Sequence, residues 1–262
     1  MKIKLLIILL CFPLGAIAKP NFMRSLYMAD KRNYKADDEL SMVGELGFIL
    51  ARGNTNASTL KAKINTSQEL ETWSYQIIAD TLYKQSKRTV NGENVTTTSA
   101  HNTFLSIQGD YKLVEPENRV FAYAEYEQKR FSGFHYQAAF ATGWSSKLWN
   151  TKNSELKYSI GPGYAISEID EGSNKEEQKG IIARAAMQYK KKFSHQATFL
   201  QFISTELATS FSKTRSETSL STKLSGALAM KLSLVLNHET SNNDDSNEVD
   251  TQTAVTLVYQ FF

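Results

Sequence analysis

The stretch that decides the fold is Thr253–Phe262, which reads Thr-Ala-Val-Thr-Leu-Val-Tyr-Gln-Phe-Phe. Alternate residues share one face of this stretch, and that face carries Thr253, Val255, Leu257, Tyr259 and Phe261. A period of two is the signal of a β-strand. An apolar face that ends on an aromatic residue is typical of the last strand of an outer-membrane β-barrel. Phe261 keeps the register of that face, and Phe262 lies one residue beyond it.

The amino-terminal residues predict an exported protein. Lys2 and Lys4 precede an apolar run from Leu5 to Leu14, and an Ala-Ile-Ala sequence follows at residues 16–18. This is the pattern of a cleaved signal peptide, and the run is too short to span a bilayer as a helix. We therefore predict a signal peptide over 1–18, a periplasmic segment over 19–38 and an outer-membrane barrel over 39–262. Cys11 would leave with the signal, which excludes disulfides and thiolate metal sites from the mature chain.

Composition agrees with a single β-rich domain. The 262 residues include 12 Tyr and 14 Phe but only 4 Pro. A mean hydropathy of -0.38 is low for a helical membrane protein and normal for a barrel, in which alternate residues meet lipid. The formal net charge of +3 gives no basic surface that would indicate a nucleic-acid partner.

Alternating stretches separated by turn residues continue from Glu39 to the end of the chain, and counting them gives about twelve strands. We therefore predict an all-β fold, a closed antiparallel transmembrane β-barrel. We expect short periplasmic turns near residues 115–118, 150–153 and 229–231, and longer outward loops near 89–94, 169–178 and 240–248. Aromatic residues expected at the membrane interfaces are Trp73, Tyr83, Trp149, Tyr189, Phe211 and Tyr259. A soluble periplasmic β-sandwich that binds a ligand is the alternative fold.

Three short motifs carry a family resemblance: residues 44–48 (GELGF), 51–56 (ARGNTN) and 58–60 (STL). They resemble the opening hairpin of the DUF481 family, putative salt-induced outer-membrane proteins of Gram-negative bacteria. The expected turn of that hairpin is Gly53, Asn54, Thr55 and Asn56, in which Gly53 with either Asn54 or Asn56 would supply the positive φ angles of a tight turn. The resemblance implies an outer-membrane location and a link to osmotic or salt stress, and it carries no catalytic residues. An envelope protein that acts under such stress is therefore an alternative to a pore. We expect the chain to use the secretion and barrel-assembly machinery and to contact outer-membrane lipids and lipopolysaccharide.

The inward face of the predicted barrel is the candidate functional surface, because it carries charges of both signs. The candidate lumen-lining residues are Glu45, Lys61, Lys63, Asp80, Lys84, Asp110, Lys112, Glu125, Glu127, Lys157, Arg184, Glu206, Lys223, Lys231 and Glu239. Charges inside a barrel need water or a partner of opposite sign. The lumen is therefore either a narrow, weakly selective pore for small solutes or ions, or a closed interior filled by ion pairs. Inward glycines at 143, 161 and 163 are expected either where strands curve or where the bore widens.

An outer-membrane lipid hydrolase is the competing functional class, since such enzymes need a histidine, a serine and an orienting amide at the rim. The nearest approach is Ser99, His101, Asn102 and Thr103, among a total of 4 His in the chain. No two of the histidines have the spacing of metal ligands. An acidic stretch with Asp244, Asp245, Glu248 and Asp250 reads as a solvated loop that could attract divalent cations. We predict a protein without catalytic activity, cofactor or metal.

Overall fold

The computed structural model describes residues 40–51, 56–90, 93–115, 117–130, 134–170, 175–193, 196–209, 211–241 and 244–261. These residues form twelve strands: β1 (Ser41–Ala51), β2 (Asn56–Glu69), β3 (Trp73–Val90), β4 (Glu93–Lys112), β5 (Asn118–Arg130), β6 (Phe134–Asn150), β7 (Ser154–Asp170), β8 (Lys175–Lys192), β9 (Ala197–Leu207), β10 (Phe211–Ser225), β11 (Leu228–Ser241) and β12 (Asp244–Gln260). Across these ranges, no helix has the length and apolar character needed to cross a membrane.

Each strand pairs antiparallel with its neighbours in sequence, and β1 pairs with β12 to close a barrel. The predicted closed antiparallel barrel of about twelve strands is confirmed, and the sandwich alternative is wrong. At the closing seam the N–H of Phe261 donates to the carbonyl of Met42 at 2.8 Å. We call the end of the barrel where β1 starts and β12 finishes the terminal end, and the opposite end the far end.

The outward surface is apolar and is bordered by an aromatic ring at each end. Exposed apolar side chains include Leu46, Leu105, Ile160, Leu232, Val255 and Leu257. The terminal-end ring contains Trp73, Tyr111, Trp149, Tyr189, Phe193, Phe199, Tyr259 and Phe261. The far-end ring contains Tyr83, His101, Tyr126 and Tyr136. Along β3, Trp73 and Tyr83 are separated by about 34 Å, or about 26 Å along the axis of a barrel with tilted strands. That height matches the apolar band of an outer-membrane barrel.

The barrel is flattened, and its two walls touch through side chains. A circular barrel of this strand number would have a diameter of about 24 Å. Lys129 of β5 nevertheless forms an ion pair with Glu239 of β11, on the opposite side of the closed sheet. Where β6 meets β7 the two backbones are close together: a Cβ on Gly143 would overlap the carbonyl of Ile160, and one on Gly161 would overlap that of Thr142. Glycine at these positions leaves room for this close approach, and strand curvature or a wider bore there stays a prediction.

The predicted contrast between short periplasmic turns and long outward loops is wrong. Strands β3 and β4 are separated only by residues 91–92, β7 and β8 by 171–174, and β11 and β12 by 242–243. Residues expected in outward loops therefore extend the hairpins beyond the aromatic ring. Asp244, Asp245, Glu248 and Asp250 belong to strand β12 and not to a loop.

Two further predictions near the carboxyl-terminal hairpins need correction. The turn expected at 229–231 lies at Gly226 and Ala227, where Gly226 has a φ of +50° that suits glycine. Phe211, expected on the outward face, is buried inside the barrel with 6% exposure. The reason is register: Leu207 pairs with Ser212, so Phe211 takes the opposite face after the intervening turn.

The predicted signal peptide (1–18), most of the turn motif (Gly53, Asn54 and Thr55) and residues 19–38 lie outside the described residues. Asn56, the last residue of that motif, starts strand β2.

Candidate functional site in the barrel interior

All fifteen candidate lumen-lining residues lie on the inward faces of their strands, by the alternation of burial along each strand. Lys61, Lys112, Arg184, Glu206 and Lys231 are buried. Lys84 is exposed at the far end, and Lys223 is exposed at the terminal end. Whether these residues line a conducting path stays a prediction. The structure adds the identity of partners, and many of the candidates belong to three groups of ion pairs along the axis, which we call tiers.

The outer tier joins the two walls of the barrel near its far end. Lys213 of β10 lies 2.9 Å from a carboxylate oxygen of Glu125 and 2.8 Å from one of Glu127, both on β5. Lys129 of β5 reaches back across the interior to Glu239 of β11. All five side chains are largely withdrawn from solvent, with exposures between 6% and 16%. Two lysines and three carboxylates thus occupy the space that an open channel would need at this level.

The middle tier lies closer to the seam between β1 and β12. Lys231 of β11 contacts Glu45 of β1 and Glu217 of β10, each at 3.0 Å. Lys63 of β2 approaches the second oxygen of Glu217 at 3.5 Å. Asp80, another lumen-lining candidate, lies directly opposite Lys63 in the pairing of β2 with β3. Each cation of this tier therefore has a carboxylate beside it.

The inner tier collects cations around a single carboxylate, Glu69, at the terminal end of β2. Arg119 forms a two-pronged contact with Glu69, at 2.6 and 3.2 Å, and the Nζ of Lys112 lies 3.0 Å from it. Lys147 approaches the same carboxylate at 3.6 Å. Arg119 also donates to the hydroxyl of Ser74 at 2.6 Å. These contacts tie the ends of β2, β4, β5 and β6 together.

Apolar and aromatic side chains lie in the interior beside the inward glycines of β6 and β7. Phe211 packs against Ala139, Ala165 and Ile182, and all four are buried. Next to this cluster the guanidinium of Arg184 lies 3.6 Å from the centre of the Tyr123 ring, a favourable cation–π distance. Arg184 also donates to Glu206 at 3.3 Å, although Arg184 Nη1 and Glu206 Oε2 are buried without a hydrogen-bond partner. Another candidate, Asp110, accepts a hydrogen bond from Ser145 at 2.6 Å.

The sequence interpretation missed several residues of these tiers: Glu69, Arg119, Lys129, Lys147, Lys213 and Glu217. For Lys213 and Glu217 the cause is the face assigned to Phe211, because a shift by one residue moves every side chain of a strand to the other face. The pairing of Leu207 with Ser212 fixes the true face. Glu69, Arg119 and Lys147 lie near strand ends, where the alternating pattern is short. Lys129 lies two residues after the candidate Glu127, so strict alternation along β5 would have included it.

The proposed rim site of a lipid hydrolase is not assembled by the residues that the structure describes. His101 lies on the outward face, with its ring 5.7 Å from that of Tyr83. Asn102 is the next residue of the same strand and therefore takes the inward face. Thr103 is exposed on the outward side, and the side chain of Ser99 lies outside the described residues. Within the described ranges, no group of three or more His, Cys, Asp or Glu side chains could hold a metal ion.

Solved structures with a similar fold are outer-membrane barrels. The COG4313 outer membrane channel from Pseudomonas putida F1 aligns with a TM-score of 0.50 and 8% identity, over 89% of this chain and 100% of that one. The translocator domain of autotransporter NalP from Neisseria meningitidis aligns with a TM-score of 0.43 and 10% identity, over 85% of this chain and 87% of that one. At such identities the likeness concerns the fold alone. No curated protein is detectably similar in sequence.

The sequence also matches one protein family over nearly the whole barrel, from residue 44 to residue 261. That span begins in β1 and ends just after β12, so it covers each of the three ion-pair tiers. The chain belongs to DUF481, a family described as a protein of unknown function.

Proposed function

We propose that this protein is a noncatalytic outer-membrane barrel that forms a narrow passive pore for ions and small solutes and rests in a closed state. The apolar belt between two aromatic rings supports the membrane location, because such a surface is unfavourable in water and matches the hydrocarbon layer. The all-strand barrel fold, shared with outer-membrane channels, agrees with this assignment.

The observation that carries the proposal is the outer tier, in which Lys213 and Lys129 reach carboxylates on the opposite wall. Burying charges is costly, and apolar residues of similar volume often stabilise a protein as well as a buried ion pair does. A barrel that never admitted water would therefore gain little from these charges. A pore whose walls separate needs them, since water hydrates the same side chains when the path opens.

Orientation follows from the usual arrangement of bacterial barrels, which would place the terminal end in the periplasm and the far end outside the cell. The outward belt would then contact outer-membrane lipids and lipopolysaccharide. Assembly would require export through a cleaved signal peptide and insertion by the barrel-assembly machinery. A role in osmotic or salt stress stays a prediction.

Single-channel recording of the refolded chain in a planar bilayer tests the pore. For the wild type we expect a mostly closed barrel with brief, small conductance steps. Lys213→Met keeps the side-chain length but removes the cation nearest to Glu125 and Glu127, so that Glu125 loses its ion-pair partner and Glu127 keeps only a contact of 3.9 Å with Lys129. We expect this variant to open more often and to favour cations in a salt gradient. Lys179→Met is the matched control, because Lys179 pairs with Glu177 on the exposed surface.

Folding of each variant is checked by heat-modifiable gel migration before recording. Identical, silent traces from folded wild type and folded Lys213→Met would overturn the proposal and indicate a permanently filled barrel. The double variant Glu125→Gln with Glu127→Gln provides a second test that leaves no carboxylate of β5 beside Lys213. It should also open the barrel, but with a preference for anions.

A further inference from the structure

Four lysines lie together on the inner wall at the terminal end of the barrel: Lys147 on β6, Lys157 on β7, and Lys190 and Lys192 on β8. We call them the lysine cluster. Lys147 and Lys157 are directly opposite each other in the pairing of β6 with β7. Lys157 faces Gln188 in the pairing of β7 with β8, so Lys190 is its diagonal neighbour. The register of three consecutive strands therefore concentrates positive charge on one patch of the wall.

Carboxylates of the protein neutralise only part of this charge: Glu155, on the same strand face as Lys157, lies near Lys147 and Lys190 and offsets some of it. Lys147 approaches Glu69, but Glu69 is shared with Arg119 and Lys112. Among the described residues, no carboxylate forms a salt bridge with Lys157, Lys190 or Lys192. In the strand pairings of these three lysines within the described ranges, the only carboxylate residue directly opposite is Glu155, which faces Lys190. Like charges placed directly opposite each other in a sheet are destabilising. The fold thus tolerates a repulsion that a bound anion would relieve.

The cluster opens to solvent on its β8 side, whereas Lys147 and Lys157 are partly buried, and it has the dimensions of an extended anion. Lys190 and Lys192 are exposed, in contrast to the buried lysines of the outer and middle tiers. The cluster spans about 10 Å across three strands and about 7 Å along one strand. A single phosphate is smaller than this footprint, whereas a chain of two or three phosphoryl groups would reach several ammonium groups at once.

We propose that the lysine cluster is a binding site for a soluble, multivalent oxyanion of the polyphosphate class at the terminal mouth of the barrel. Lysine ammonium groups bind phosphoryl oxygens as point charges and need no rigid geometry. The inward direction of the side chains favours a soluble ligand over the headgroup of a membrane lipid, which would lie outside the barrel wall. The site does not require the pore to open.

Calorimetric titration of the full refolded chain in neutral detergent with tripolyphosphate tests the site. We expect saturable binding to the wild type at low ionic strength, weakened when added salt screens the charges. The double variant Lys190→Gln with Lys192→Gln should bind at least about tenfold more weakly. The control is Lys179→Gln with Lys191→Gln, which removes two charges from the outward face of the same strand and should change the affinity by less than about twofold.

Three outcomes would overturn the proposal. They are an absence of binding to the folded wild type, equal affinity of wild type and the Lys190/Lys192 variant, and an equal loss in the control. Adding phosphatidylglycerol to the micelles tests the source of the anion. Competition that depends on Lys190 and Lys192 would assign the cluster to a lipid headgroup and reject the soluble ligand. The titration does not depend on ion conduction. A barrel that binds tripolyphosphate but does not conduct would therefore contradict the proposed pore and leave the proposed binding site intact.

Discussion

The outer tier and the lysine cluster contain the same kind of residue on the same inner wall, but their surroundings differ. Lys213 in the outer tier lies between Glu125 and Glu127 of the opposite wall, with contacts of 2.9 and 2.8 Å. Lys157 in the cluster faces Lys147 across a strand pair. One lysine is buried among carboxylates, and the other shares a solvent-open mouth with further lysines.

This difference separates charges that hold the barrel together from charges that are available to a ligand. A cation with two carboxylates beside it contributes to the native structure, and its removal leaves buried charges without a partner. A cation that faces another cation contributes little or even opposes folding. Substitution should therefore lower the free energy of unfolding in the outer tier and raise it in the lysine cluster, so measurements of stability alone can test the comparison.

Removing the outer-tier cation should have the largest effect. Lys213→Met leaves Glu125 and Glu127 buried next to each other, and we expect the free energy of unfolding to fall by about 3 kcal/mol. Urea unfolding in detergent, followed by the fluorescence of Trp73, Trp144 and Trp149, measures the change. Lys179→Met, which breaks an exposed ion pair, should alter stability by less than about 0.5 kcal/mol. Equal values for the two variants would mean that the outer tier does not stabilise the fold.

Removing the shared carboxylate of the inner tier should have an intermediate effect. Glu69→Gln removes the carboxylate charge that Lys112 and Arg119 share, and these two cations are only 1% and 5% exposed. Because Glu69 itself is 23% exposed, water screens part of the loss, and we expect a decrease of about 2 kcal/mol. The same urea titration applies. Glu71→Gln in the neighbouring exposed turn is the control, and a similar decrease there would attribute the effect to net charge.

Sequence alone predicted the class of fold because its signal is local. The alternation around Leu46, Leu105 and Leu257 assigns each strand a lipid-facing side without any knowledge of its neighbours. The same alternation selects inward charges such as Glu127 and Lys231. Turn positions were less predictable, since hairpin length depends on pairing across strands. An error of one residue at the turn before Phe211 concealed Lys213 and Glu217.

The three tiers could not be predicted, because alternation indicates the face of a residue and not its partner across the interior. Lys213 and Glu125 are 88 positions apart in the chain. Their contact requires strands β5 and β10, which are not neighbours in the closed sheet, to approach each other across the interior. Predicting the lysine cluster from sequence requires knowing that Lys147 pairs with Lys157. That pairing is hard to predict because the register of β6 with β7 shifts between Lys147 and Trp149.

Within the lysine cluster we expect a small effect of opposite sign. Lys157→Gln removes the cation directly facing Lys147, so the free energy of unfolding should rise by about 0.5 kcal/mol at low ionic strength. The gain should shrink when salt screens the repulsion. Lys152→Gln, in the exposed turn between β6 and β7, should leave stability nearly unchanged. A loss of stability in Lys157→Gln would show that Lys157 has a stabilising partner and would remove the contrast with the outer tier.

Tripolyphosphate should reverse the order of wild type and Lys157→Gln. A ligand that binds only the folded barrel adds about 2.7 kcal/mol of stability at a concentration one hundred times its dissociation constant. If Lys157→Gln weakens binding about threefold, it gains about 0.6 kcal/mol less than the wild type. This loss of about 0.6 kcal/mol slightly exceeds the gain of about 0.5 kcal/mol that Lys157→Gln has over the wild type without ligand. An unchanged order with and without tripolyphosphate would place the bound anion beyond the reach of Lys157, whereas a reversal would show that the repulsion between these lysines is compensated by the ligand.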